Sequence, residues 1–105
     1  MKRDSNKIVV RVDPDIADLI PGFLENRQKD IKTIEETLQK GDYDILQRMG
    51  HTLKGTGGGY GFDEITDIGL RIENAAKEKN ADEILRQVQG LSDYLGKVEV
   101  VYDEG

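Results

Sequence analysis

Apolar residues recur at steps of three and four in four separate stretches, and no other feature of this chain constrains its fold as tightly. Positions spaced this way share one face of a helix, and a buried stripe is the usual reason for them. In the first stretch Leu24, Ile31, Ile34 and Leu38 line up between Pro21 and Gly41. Pro suits a helix start and Gly a helix end. Upstream, Asp13-Pro14-Asp15 reads as a cap with Pro at the first helical position, opening a short segment that carries Ile16, Leu19 and Ile20. In the second stretch Asp42 is the cap, and Leu46, Met49, Leu53, Gly57 and Tyr60 form the stripe. The third carries Ile65, Ile68, Ile72 and Ala75 after a break at Gly61. The fourth opens on Asn80 with Glu83 three positions on, a capping-box pattern, and runs through Ile84, Val88, Leu91, Leu95 and Val98.

Four amphipathic segments joined by very short connections imply antiparallel neighbours. The expected fold is all-α: an up-down antiparallel four-helix bundle with a short extra N-terminal helix, one domain over residues 1–105 with its core at about 13–98. The ends do not fit this pattern. Ile8-Val9-Val10-Arg11-Val12 and Val98-Glu99-Val100-Val101-Tyr102 are rich in β-branched residues, which favour extended backbone. Three readings of the ends, 1–12 and 99–105, stay open: a paired ribbon, loose packing on the bundle, or fraying.

Composition decides whether such a chain folds and which chemistries it lacks. Leu, Ile, Val and Phe number 28 of the 105 residues, above the level of roughly 20% at which disorder becomes the default. The core is therefore thin but sufficient. With no Cys there is no disulfide, thiolate nucleophile or Cys-ligated metal, and a single His excludes a multi-histidine metal centre. A net charge of −6 repels nucleic acid and anionic membranes. No apolar run approaches the ~20 residues that span a bilayer, and the polar start Met1-Lys2-Arg3-Asp4-Ser5-Asn6 is unlike a signal peptide, so a cytoplasmic protein is expected. No cofactor is expected, and a monomer is the default.

Five of the 12 glycines fall between Gly55 and Gly61, in Lys54-Gly55-Thr56-Gly57-Gly58-Gly59-Tyr60-Gly61. A phosphate-cradling loop fails on spacing. The dinucleotide fingerprint needs a glycine at the sixth position, where this sequence has Tyr60 or Phe62. The nucleotide P-loop needs Lys-Ser/Thr after its second Gly, and the preceding strand is absent because residues 42–53 read as helix. On a helix, Leu46, Met49, Leu53, Gly57 and Tyr60 share one side, whereas His51 lies roughly 170° from it, facing solvent. Gly55 and Gly58 stand within about 40° of His51 and Lys54 about 60° away. Tyr60 completes the stripe, so the helix is expected to continue through the glycines.

That continuation is costly, since each interior Gly loses roughly 0.5–1 kcal/mol relative to Ala. Gly57 has a structural reason, because a bare Cα on the core side lets helices approach. Gly55 and Gly58 have none in the sequence, unless an outside molecule must reach the backbone beside His51. The alternative is a turn at the glycines. His51 itself divides between an ordinary surface residue and a nucleophile. Unperturbed imidazole has a pKa near 6.5 and is mostly neutral at cytoplasmic pH, with a free lone pair. A phosphoryl group arriving there would meet Lys54, with Thr52 and Gln47 as hydrogen-bond donors. No acid, second nucleophile or metal cluster lies beside His51 in sequence, which suits a group carrier better than a self-sufficient enzyme.

The run His51-Thr52-Leu53-Lys54-Gly55-Thr56-Gly57-Gly58-Gly59-Tyr60-Gly61 resembles the signature of histidine phosphotransfer (HPt) domains. In that family the pattern is His, x, Leu, Lys, Gly, then small residues, then Gly, leading into a further helix. Ile65, Ile68, Ile72, Glu73, Asn74, Ala75 and Ala76 look like the family's Leu-x-x-x-Leu-Glu-x-Ala region with Ile for Leu, and Asp18-Leu19-Ile20-Pro21-x-Phe23-Leu24 is also similar. The resemblance covers about Asp13 to Val98. It implies a helical bundle and a phosphorelay intermediate. His51 would accept a phosphoryl group from a receiver-domain aspartyl phosphate and pass it to another receiver's aspartate. Lys54 would stabilise the phosphoryl group, and Gly55 and Gly58 would admit the receiver's loops, with Gln47 and Thr52 also on the docking face. The implied partners are response-regulator receivers and a sensor histidine kinase, and the catalytic electrostatics are the partner's. The rival readings are a binding module that docks a partner on its glycine-rich face without phosphorylation, and a hydrolase or transferase with His51 as general base. The second lacks a visible orienting acid, and a convex helix makes a poor water-excluding pocket.

Overall fold

The computed structural model describes residues 7–102. Its element order is β1 (Ile8–Val12), a 3₁₀ segment (Pro14–Leu19), α1 (Ile20–Gln39), α2 (Tyr43–Gly57), a 3₁₀ turn (Gly58–Tyr60), α3 (Asp63–Lys77), α4 (Ala81–Lys97) and β2 (Val98–Tyr102). Each helix packs on the next, and α4 closes against α1. Ile34, Leu46, Leu53, Ile65, Ile72, Ile84 and Leu91 from the stripes form a buried core with Ile20 and Phe62. Phe23 stacks on Phe62 and meets Tyr60 edge-on, tying the start of α1 to the end of the glycine run.

Three helix ends share one device. In each, a residue with left-handed backbone lets the chain fold back onto carbonyls of the last turn. Gly41 (φ +70°) ends α1, with the Asp42 amide donating to the Thr37 carbonyl. Gly61 (φ +89°) follows the glycine run, with the Phe62 amide donating to the Gly57 carbonyl at 2.9 Å. After α3 the same role falls to Lys79 (φ +55°), and the Asn80 amide donates to the Ala75 carbonyl at 2.9 Å. Asp42 and Asn80 then cap the next helices by accepting from the Ile45 and Glu83 amides.

At the place of the expected short extra N-terminal helix the chain forms a 3₁₀ segment and no separate α-helix. Pro14–Leu19 is a 3₁₀ segment, non-helical at Ile16, that runs directly into α1 at Ile20. Asp13 does cap it, accepting from the Asp15 amide at 2.9 Å. Of the three readings of the ends, the structure shows the ribbon for residues 8–12 and 98–102. Its strands are parallel, from Ile8 opposite Val98 to Val12 opposite Tyr102, and Val10 and Val12 are buried. Residues 1–6 and 103–105 of the expected ends lie outside the described region. In the fourth stretch, Tyr94 is buried and Leu95 only partly so, and Val98 belongs to β2 instead of the helix.

Candidate functional site

The site is set by how closely α2 and α3 cross. Gly50 and Gly69 face each other there: a methyl group at Gly50 would stand 2.5 Å from the Glu73 amide nitrogen and 2.8 Å from the Gly69 carbonyl oxygen. One at Gly69 would collide with the Lys54 amide nitrogen. Only bare Cα atoms allow this approach, and it brings α3 against the turns of α2 that carry His51 and Lys54. Gly57 extends the contact, since a Cβ there would stand 2.8 Å from both the Phe62 oxygen and the Thr66 nitrogen.

Across this contact reaches Glu73, an acid within the buried face of α3 whose side chain is 11% exposed. Its Oε1 pairs with Lys54 Nζ at 3.0 Å, and its Oε2 stands 3.2 Å from His51 Nδ1. The hydrogen bond from Lys54 is the main reason its pKa falls below the usual carboxylate value; partial burial opposes it, and the Lys54 charge and His51 contact add to the lowering. A carboxylate only accepts. The contact therefore selects the tautomer with the proton on Nδ1, leaving Nε2 with its lone pair. The His51 side chain is 68% exposed, so that lone pair is open to a visiting molecule.

The other predicted site residues fall around it. Gln47 and Thr52 line a shallow cleft of about 380 Å³ with His51, Glu73 and Arg48, the last of which the sequence analysis did not single out. Thr52 also lines a neighbouring groove between α1 and α2, whose apolar wall includes Ile34, Ile45, Met49 and Leu53. Gly55 faces open space, with nothing within 4 Å of where a Cβ would lie. Gly58 is also exposed, and a Cβ there would stand 3.3 Å from Thr66 Oγ1 of α3. The helix does continue through Gly57, then tightens into the 3₁₀ turn that ends at Gly61.

Two features change the reading of the site. The acid beside His51 exists, supplied from 22 residues away, and Lys54 is not a free ammonium. The signal for Glu73 was a charged residue between Ile72 and Ala75, inside an apolar stripe where a lone carboxylate is expensive to bury.

A family model described as Hpt domain matches residues 18–99, spanning all four helices. The chain belongs to the Hpt domain family. Hpt domains are phosphocarrier modules of phosphorelays, working with histidine kinases and receiver domains, and His51 lies within the matched span of this one. No curated protein and no solved structure matches the chain. No helix of the described residues is long and apolar enough to cross a membrane.

Proposed function

We propose that this Hpt domain carries a phosphoryl group on Nε2 of His51, taking it from the aspartyl phosphate of one response-regulator receiver and delivering it to the aspartate of another. The observation that carries the reading is the pairing of an exposed imidazole with a largely buried carboxylate on Nδ1. In the forward step the Nε2 lone pair forms a P–N bond as the acyl phosphate P–O bond breaks, and the receiver's aspartate leaves with the bonding pair. The ring keeps its Nδ1 proton and becomes cationic, and Glu73 stabilises that charge where it develops. Delivery reverses the sequence. No proton has to be removed from the nucleophile, so no general base is required.

Lys54 neutralises Glu73 in the resting protein and flanks the phosphoryl group in the carrier form. Gly55 leaves the backbone beside His51 bare for a receiver's loops, and Gln47 and Thr52 offer hydrogen bonds at the cleft. Most of the catalytic electrostatics belong to the receiver, so the isolated domain is inert towards its own phosphohistidine. Localisation in the cytoplasm and a monomeric state complete the reading.

The test is phosphotransfer profiling of wild type and His51→Gln against the phosphorylated receivers of the same genome, with radiolabelled phosphate. Wild type acquires acid-labile, base-stable label from at least one receiver, and His51→Gln acquires none while keeping its helical circular dichroism. Label retained by His51→Gln would refute the reading. A binding module without phosphotransfer would instead bind its partner with an affinity indifferent to this substitution.

A further inference from the structure

Lys54 is the cation that the motif offers to a phosphoryl group, yet its ammonium is held by Glu73 at 3.0 Å. Drawing it fully onto phosphate would strand a carboxylate whose side chain is 11% exposed beside a new dianion. Helical side chains lean towards the N-terminus of their helix. The ring of His51 therefore lies over the preceding turn of α2, which carries Gln47 and Arg48. The cleft at His51 follows this geometry: Arg48 lines it and Lys54 does not. Arg48 forms no ion pair among the described residues. The acid of the adjoining groove, Asp30, is already paired with Arg27 at 2.8 Å.

We propose that Arg48, rather than Lys54, is the principal cation for the phosphoryl group on His51. The assignment rests on the carrier reading above. A guanidinium presents several N–H donors in a plane that matches phosphate oxygens, and an unpaired one loses no existing ion pair on reaching them. Glu73 also lines the cleft and repels a phosphoryl group there, which makes an uncommitted positive charge more necessary at this position. Lys54 keeps Glu73 in place and contributes at longer range.

The experiment uses phosphoramidate, a small donor that needs no receiver. The Nε2–P bond forms as the donor's P–N bond breaks, and ammonia leaves with a proton from water. Initial rates of His51 phosphorylation, and the half-life of the phosphohistidine, are compared for wild type, Arg48→Ala, Arg48→Lys and Lys54→Ala. The expected result is a rate loss of roughly tenfold for Arg48→Ala, partial rescue in Arg48→Lys, and a smaller loss for Lys54→Ala. A wild-type rate in folded Arg48→Ala would overturn the assignment. So would an effect seen only with phosphorylated receivers and not with phosphoramidate, which would make Arg48 a docking residue. A wild-type protein that accepts phosphate from neither donor would overturn the carrier reading itself, and the role of Arg48 with it.

Discussion

Glu73 Oε2 stands 3.2 Å from His51 Nδ1, so a residue of α3 determines which nitrogen of an α2 imidazole is free to react. Glu73→Ala is expected to slow phosphotransfer roughly tenfold, and Glu73→Gln less, because its amide oxygen still accepts from Nδ1–H. A carboxylate with a lowered pKa adds stability above its unfolded value, near 4.5, and that contribution disappears as pH falls through the lower folded value. The stability gap between wild type and Glu73→Gln should therefore hold from neutral pH to about 4.5 and shrink below it, as read by denaturant midpoints across pH. Equal transfer rates for all three proteins would remove Glu73 from the mechanism.

Gly69→Ala tests whether the close crossing of α2 and α3 holds the site together. Helix propensity alone favours Ala, but its methyl group meets the Lys54 backbone. Overpacking of this kind costs about 1–3 kcal/mol, and separating the helices draws Glu73 away from His51. Lower thermal stability together with slower transfer is expected. A stabilised variant with unchanged transfer would show that the crossing has slack.

Gly55→Leu is expected to move stability and function in opposite directions. The position is helical and open, so removing a helix-interior Gly stabilises the fold by up to ~1 kcal/mol. The new side chain covers the approach to His51, and transfer from a receiver falls while phosphorylation by phosphoramidate changes little. Unchanged receiver transfer by the folded variant would mean that the bare backbone is not for docking.

Lys79 is the third left-handed helix end, where the other two have glycine. Left-handed backbone costs a side-chain-bearing residue roughly 1–2 kcal/mol, so Lys79→Gly is expected to raise the unfolding midpoint by up to ~1 kcal/mol of stability once the greater freedom of unfolded Gly is subtracted. A lower midpoint would mean that the Lys79 side chain makes a compensating contact.

These positions also mark what the sequence could and could not disclose. The stripes, the Asp42 and Asn80 caps and the glycine stops at 41 and 61 are local, each specified within a few residues, and the structure follows them. Exposure of His51 followed from the same helical geometry. The contact with Glu73 did not, because it depends on two helices crossing at Gly50 and Gly69, and neither glycine belongs to a local pattern. Pairing of Lys54 was hidden for the same reason. The β-branched ends were legible as extended backbone, but their parallel pairing links residues about 90 positions apart, beyond any local signal.

Everything proposed for this domain depends on Nε2 of an exposed, Nδ1-protonated His51 as the phosphoryl acceptor. The most direct test is NMR of the uniformly ¹⁵N-labelled domain before and after phosphorylation, reading the ring nitrogens and the ³¹P coupling. A proton on Nδ1 is expected in the free protein, and phosphorus coupled to Nε2 of His51 in the carrier form. Phosphorus on Nδ1, or on any other residue, would contradict this assignment.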